Sequence, residues 1–349
     1  MKYLRPLLLI LLFVTSATAA AASHAVVFMY HRFGEDRYPS TSIQLAQFDA
    51  QLDYLEENGF QVWPLQRIID HIQREEQLPD RTIAITIDDA YRSVYEHAWP
   101  RLNARGWPFT VFVSTDQVDR AQREFMSWEQ MRAMQQTGVH FANHTASHDS
   151  MARQPAGEDD AAWEQRVRTD IERAQQRLRE ELGAAMEREP RLFAYPYGEY
   201  DARAAALVAH LGFVGFGQHS GAIGPRSDRR ALPRYAMAES FAALEPFARK
   251  ASSLPLPLHT VEPWEPRISD NNPPLLTLTL QHPLQGIACY NAAGQPLPIR
   301  WLDDIRLQIK STQPLPAGRS RYNCTSPTAD GRWYWYSHLW LVPDTYHTP

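Results

Sequence analysis

Cysteine is nearly missing from this chain of 349 residues: only Cys289 and Cys324 are present, both near the C-terminus. None stands near the N-terminal leader, which argues against a lipoprotein anchor. Basic blocks are lacking as well. The formal net charge is −5, and nothing in the pattern looks like a binder of phosphate backbones or nucleic acid. Long apolar runs are absent; residues 7–14 are apolar but too few to span a bilayer. No internal repeat is found. What is present is 44% hydrophobic content, enough for a globular core in a chain long for one domain and short for three.

Lys2 and Arg5 precede the apolar residues 7–14, and Ala17-Thr18-Ala19 with the alanines after it offers a small-residue cleavage site. Residues 1–22 therefore read as a signal peptide. The mature chain is expected to be exported, periplasmic or secreted, with no stable membrane anchor after cleavage. Two cysteines in one region of an exported chain suggest a single disulfide, Cys289–Cys324; two buried free thiols are the alternative.

Apolar strand-like runs alternate with helical patterns about seven times over residues 23–252. The runs 25–31, 81–89, 109–113, 139–142, 191–195 and 213–216 read as strands. Leu45, Phe48, Leu52 and Leu55 recur at helical spacing, as do apolar residues in 94–102, 128–134, 158–182 and 202–211. Residues 241–250 also read as a helix, which Pro246 should kink or start. The alternation predicts an α/β fold, a distorted (β/α) barrel of about seven strands. Residues 253–274 carry six prolines and no clear period, and read as a linker. Residues 275–349 read as a small all-β domain, with strands expected at 275–280, 287–290, 305–309 and 333–341.

Polar residues gather at the ends of the predicted strands, the edge where β/α barrels keep their chemistry. Asp88 and Asp89 close one of them, and adjacent strand residues point to opposite faces. One acid can then bind a metal while the other handles a proton. His144 and His148 follow another strand. If that segment turns helically, both imidazoles share a face and can reach one ion. With one carboxylate they form a two-His, one-Asp set with open positions, which is catalytic in character. Tyr195-Pro196-Tyr197-Gly198 is a tight aromatic turn able to present a backbone N–H to an oxyanion. His31 closes the first strand, and His219 competes with it as a fourth polar group.

Thr86-Ile87-Asp88-Asp89-Ala90, His144-Thr145-Ala146-Ser147-His148 and Tyr195-Pro196-Tyr197-Gly198, in this order, resemble the first three motifs of the polysaccharide deacetylases with NodB homology, carbohydrate esterase family 4. The resemblance covers roughly residues 25–250. Met29-Tyr30-His31-Arg32-Phe33, followed by Phe48, Leu52 and Leu55, is similar to the exported branch acting on poly-β-1,6-N-acetylglucosamine of biofilm matrices.

The resemblance implies a metal-dependent hydrolase that removes N-acetyl groups from an N-acetylglucosamine polymer. Asp89, His144 and His148 would bind a divalent ion, most plausibly Zn²⁺. Asp88 would be the base, His31 the general acid, and Tyr197 the oxyanion donor through its backbone. Ser147 is expected to brace the loop; Trp128 and Tyr91 could line a sugar groove, with core packing the preferred reading for Trp128. Two departures stand out. Ala90 replaces the usual Gly, and Ala194 stands where an Arg normally orients the catalytic Asp; Arg234 could do this from the last strand. A non-catalytic carbohydrate-binding or matrix protein, and a deacetylase of peptidoglycan or chitin-type oligomers, are the alternatives. The aromatic run Trp333-Tyr334-Trp335-Tyr336 with Trp340 suits glycan stacking and a packed strand equally.

Overall fold

The structure, a computed structural model, describes residues 21–343. The expected signal segment lies outside the described residues except for Ala21 and Ala22, which pair antiparallel with Leu78 and Pro79.

Seven strands build the larger unit: β1 (Val26–Tyr30), β2 (Thr82–Asp88), β3 (Thr110–Val113), β4 (His140–Asn143), β5 (Arg191–Ala194), β6 (Phe213–Phe216) and β7 (Tyr235–Ala236). They pair in parallel in the order β6-β5-β4-β3-β2-β1-β7, with Gln61–Val62 paired to β2 as well. The seam is closed by the chain leading into β7. Leu232 exchanges backbone hydrogen bonds with Gly215 and Gly217 on the β6 side, while Met237 N donates to Met29 O on the β1 side. This is the distorted barrel that the alternating pattern predicts.

The side-chain alternation of β2 decides where the chemistry sits. Ile83, Ile85 and Ile87 face outward against Phe48, Leu52 and Leu55 of helix α1 (Leu45–Glu57). Ala84 faces the interior with Val27, Phe112, Ala194 and Phe216. Helix α2 (Leu65–Gln73) plugs that interior with Ile68, Ile69 and Ile72. Period two then puts Thr86 and Asp88 on the interior side of β2, and likewise His31 on the side of Val27 after β1.

The expected helices are present, with two refinements. The one expected at 94–102 opens as a π-helical turn, Val94–Ala98, before the α-helix Trp99–Ala104. Glu239–Phe241 is a short 3-10 turn, and the helix proper is Leu244–Ala251, so Pro246 lies in its first turn, where its missing N–H is harmless.

The C-terminal domain holds two sheets around Leu276, Leu278, Leu307, Ile309, Tyr322 and Trp340. Its central hairpin pairs β8 (Gly318–Pro327) with β9 (Trp333–Val342) in antiparallel register. Cys289 lies opposite Cys324 and is disulfide-bonded to it. The stretch expected to be a linker instead supplies two strands, Leu254–Pro255 and Leu258–Glu262, each at the end of a sheet. Edge positions tolerate proline because one side of the strand needs no partner. β8 is absent from the sequence prediction. Its buried side is Ser320, Tyr322, Cys324 and Ser326, which is too polar to register as an apolar alternation.

The two units pack on each other directly. Trp335 meets Tyr235 of the barrel with ring centroids 5.4 Å apart and donates from Nε1 to Ser220 Oγ. Trp340 is buried in the domain core against Tyr322. The aromatic run thus serves packing at these two positions. A cavity of about 570 Å³ remains at the junction, with His219, Trp264 and Tyr336 in its wall.

Candidate active site

Asp88 is fully buried and bound in bidentate fashion by Arg234, Nη1 to Oδ1 at 2.7 Å and Nη2 to Oδ2 at 2.8 Å. Arg234 is itself fully buried. Its remaining donors reach Gly217 O at 3.0 Å and Thr86 Oγ1 at 3.2 Å. The guanidinium left unaccounted for at Ala194 is therefore supplied from the seam strand across the barrel. Burial alone would raise the Asp88 pKa, but the charges of Arg234 and His144 and the Arg234 hydrogen bonds hold it below the ordinary carboxylate value.

Asp89 turns the other way, at φ 74, and meets the two histidines. His144 Nε2 lies 3.3 Å and His148 Nε2 3.2 Å from Asp89 Oδ1. His144 Nδ1 lies 2.7 Å from the Ala194 carbonyl, which can only accept. Nδ1 is therefore the protonated nitrogen, and Nε2 presents its lone pair toward a carboxylate oxygen. Two acceptors at that distance need a shared proton or a cation between them. Asp89 Oδ1 is buried and receives no hydrogen bond of acceptable geometry. One ligand atom from each of Asp89, His144 and His148 lies within 4.8 Å of the others. This donor set fits a divalent transition ion with open positions. Burial opposes ionisation of Asp89, but a proton shared with it by His144 or His148, and the positive charge that brings, holds its carboxyl well below the usual range.

The histidines converge by a route other than a helix. Their segment is a loop with left-handed residues at Thr145 (φ 61) and His148 (φ 66). His148 N donates to Thr145 Oγ1, and Ser147 donates from both N and Oγ to Asp170. Ser147 thus braces the loop from helix α4 of the barrel's outer layer (Asp160–Leu182; the helix Trp128–Gln135 precedes it as α3).

Tyr197 sits at φ 59 in the turn Pro196–Gly198, with its ring 4.6 Å from that of His148 and 45% exposed. The turn bonds Gly198 N to Tyr195 O and Glu199 N to Pro196 O; the Tyr197 N–H takes part in neither. Five of the eight non-glycine residues at positive φ among the described residues (Asp89, Ala90, Thr145, His148 and Tyr197) belong to this one site. Each is disfavoured by roughly 1 kcal/mol and persists only where its surroundings over-determine it.

His31 and His219 are separated by their electrostatics. Burial pushes both below the ordinary imidazole value. His31 responds to the charges of Asp89 and Asp88, so it belongs to this site. His219 is lowered to about 4 by burial and by Arg234 and Arg321, and it lines the junction cavity. Trp128 binds Asp119 through Nε1 at 2.7 Å. Tyr91, expected only along a sugar groove, covers the Arg32 guanidinium at 3.5 Å, with Tyr38 on that cation at 4.0 Å. Arg32 directly after His31, a charge at the end of a buried strand, is the signal that marks this cluster.

The fold is a parallel β/α barrel that carries a two-His, one-Asp set able to hold a cation beside a buried Asp–Arg pair. Comparison with known proteins gives the family of the barrel. The family model described as "Polysaccharide deacetylase" matches residues 75–216. The structure of IcaB from Ammonifex degensii superimposes with a TM-score of 0.56 at 30% identity, covering 66% of this chain and 98% of that one. Poly-beta-1,6-N-acetyl-D-glucosamine N-deacetylase of Escherichia coli K12 is 25% identical over 244 residues, 60% of this chain. The chain spans only 35% of that relative's length. The Staphylococcus aureus MRSA252 enzyme of the same name is 22% identical over 212 residues, 59% of this chain and 71% of its own. The chain belongs to the polysaccharide deacetylase family. His31 and Arg234 both lie outside the segment that the family model matches.

Proposed function

We propose that this protein is a metal-dependent hydrolase that removes N-acetyl groups from a polysaccharide containing N-acetylglucosamine, with poly-β-1,6-N-acetylglucosamine as the favoured polymer. The observation that carries the reading is the buried Arg234–Asp88 pair beside the Asp89, His144 and His148 cluster. It supplies an ionised base next to a ligand set with open positions. Asp89, His144 and His148 would hold a divalent ion, for which Zn²⁺ suits two imidazoles and a carboxylate, and a bound ion would supply a water of lowered pKa and polarisation of a carbonyl.

The chain's own groups carry the rest. Asp88, fixed by Arg234, takes a proton from the water that adds to the acetamide carbonyl. The Tyr197 N–H, unused by its own turn, donates to the developing oxyanion. His31 delivers a proton to the departing nitrogen as the carbon–nitrogen bond breaks. Acetate and a free glucosamine unit are the products. The exposed Tyr197 ring suits packing against a sugar face. We place the mature protein outside the cytoplasm, following the leader-like residues 1–22; no helix among the described residues is long and apolar enough to cross a membrane.

The test is acetate release from poly-β-1,6-N-acetylglucosamine, chitin oligomers and peptidoglycan, with and without a chelator. Chelator-sensitive release, strongest with the first glycan, is the expected result. Glycan binding without acetate release would overturn the enzymatic reading in favour of a carbohydrate-binding protein.

A further inference from the structure

One side chain of the C-terminal domain reaches the turn that borders the candidate site. Arg319, on β8, donates from Nη1 to the Tyr197 carbonyl oxygen and to Gln218 Oε1, the latter at 3.0 Å. Its Nε lies 3.9 Å from Glu199 Oε1. These three acceptors surround one turn. Glu199 is nearly buried and is gripped from the barrel side by Ser150 Oγ and by Arg153, whose Nη2 lies 3.0 Å from Oε1. Gln218 packs on the turn's glycine so closely that a Cβ at Gly198 would come within 2.5 Å of the Gln218 Cβ.

The turn has a reason to need holding. Tyr197 is left-handed at φ 59, a conformation a bulky L-residue keeps only under constraint. Its carbonyl is what Arg319 binds, so the guanidinium fixes the peptide plane next to the N–H assigned to the oxyanion. Arg319 is partly exposed, with 45% of its side chain accessible. An ion pair so placed would count for little. A hydrogen bond to the main chain of a strained turn acts differently, because it sets geometry rather than adding charge attraction. Arginine suits this role, because Nη1 in the rigid guanidinium plane donates to the Tyr197 carbonyl and the Gln218 side chain while Nε faces Glu199, an arrangement a single ammonium nitrogen does not hold with the same rigidity.

We propose that Arg319 is a positioning residue for the reaction. The C-terminal β domain keeps the Pro196–Gly198 turn in its left-handed form, and so aims the Tyr197 N–H and ring over the His144 and His148 centre. The role in catalysis rests on the deacetylase reading above; the clamp itself does not.

The full chain as Arg319→Ala and Arg319→Lys is compared with the wild type in two assays. The first is steady-state acetate release from N-acetylglucosamine oligomers. The second is amide hydrogen exchange of the peptide covering residues 195–199. Because the Tyr197 N–H acts on the transition state, Arg319→Ala should lower kcat roughly 10–100-fold while KM stays within about twofold. Exchange in 195–199 should rise at least ~10-fold, with β8 and β9 still protected. Arg319→Lys should recover part of both. Wild-type exchange and kcat in a folded Arg319→Ala protein would overturn the proposal. So would raised exchange throughout β8 and β9, which would reduce Arg319 to domain packing. If the wild type releases no acetate from any glycan, the deacetylase reading fails, and the exchange assay still decides the clamp.

Discussion

Arg234→Ala tests the core of the site most directly. The wild-type pair is fully buried, with two charge-assisted bonds of 2.7 and 2.8 Å. Removing one partner of such a pair destabilises by about 3–5 kcal/mol, because the other charge is left without compensation. Two further acceptors, Gly217 O and Thr86 Oγ1, lose a donor at the same time. The loss is bounded by protonation. Burial raises the Asp88 pKa and Arg234 is the foremost opposing group, so the isolated carboxyl goes neutral rather than stay charged in the barrel. Neutral Asp88 is no base, so activity falls with stability. Denaturant unfolding of the metal-free protein measures the first effect, and acetate release measures the second. Arg234→Met combined with Asp88→Asn removes both charges and should recover at least ~2 kcal/mol of the Arg234→Ala loss without recovering activity. A loss below about 1 kcal/mol for Arg234→Ala, or a double variant equal to the sum of its singles, would refute the argument that the pair is a coupled, desolvated unit.

Three further outcomes follow from the same structure. Asp88→Asn should retain the divalent ion at wild-type stoichiometry by elemental analysis while losing ~10²–10⁴-fold in rate, since Asp89, His144 and His148 hold the ligand atoms and Asp88 does not; full activity in that metal-loaded variant would remove Asp88 from the mechanism. Cys289→Ser with Cys324→Ser opens a cross-link between residues 35 apart and should destabilise the C-terminal domain by about 2–4 kcal/mol in denaturant unfolding. His219 and His338, lowered by burial to about 4 and about 3, give a pH signature at the domain junction. Their folded values lie below the unfolded value, so their stabilising contribution is present above pH ~6.5 and is lost as pH falls toward 4. Between pH 7 and 5 that loss is about 2 kcal/mol for each, and Gln at both positions should flatten the pH dependence of the unfolding midpoint.

Much of this arrangement was legible in the chain, for identifiable reasons. Barrel strands such as β2 are buried on both faces, so their apolar runs are dense and end where the polar chemistry begins. That contrast marks Asp88, Asp89, His144 and Tyr197 at strand ends. The route of the histidine loop was not legible, because left-handed residues at Thr145 and His148 are selected by tertiary contacts and carry no glycine to announce them. β8 stayed hidden because its buried face is made of serine, tyrosine and cysteine. With it went Arg319, which is one arginine among many until the pairing of β8 with β9 points it at Tyr197.

The relation of Ala194 to Arg234 shows what the fold requires of its residues. A buried Asp88 needs a guanidinium in a fixed orientation, but that requirement is on a position in space, not on a position in the chain. β5 and the seam strand approach the same interior from different sides. The seam chain is tied to β6 through Leu232 and to β1 through Met237, so a side chain on it is held as rigidly as one on β5. Ala194 keeps a separate duty, because its carbonyl fixes the His144 tautomer. That duty falls to the backbone, which leaves the side chain at 194 free to be small. The same logic extends outward. The left-handed turn at Tyr197 has a donor on its carbonyl that comes from a domain beyond the barrel, and under the proposal above this ties the β domain to the chemistry as well as to the fold.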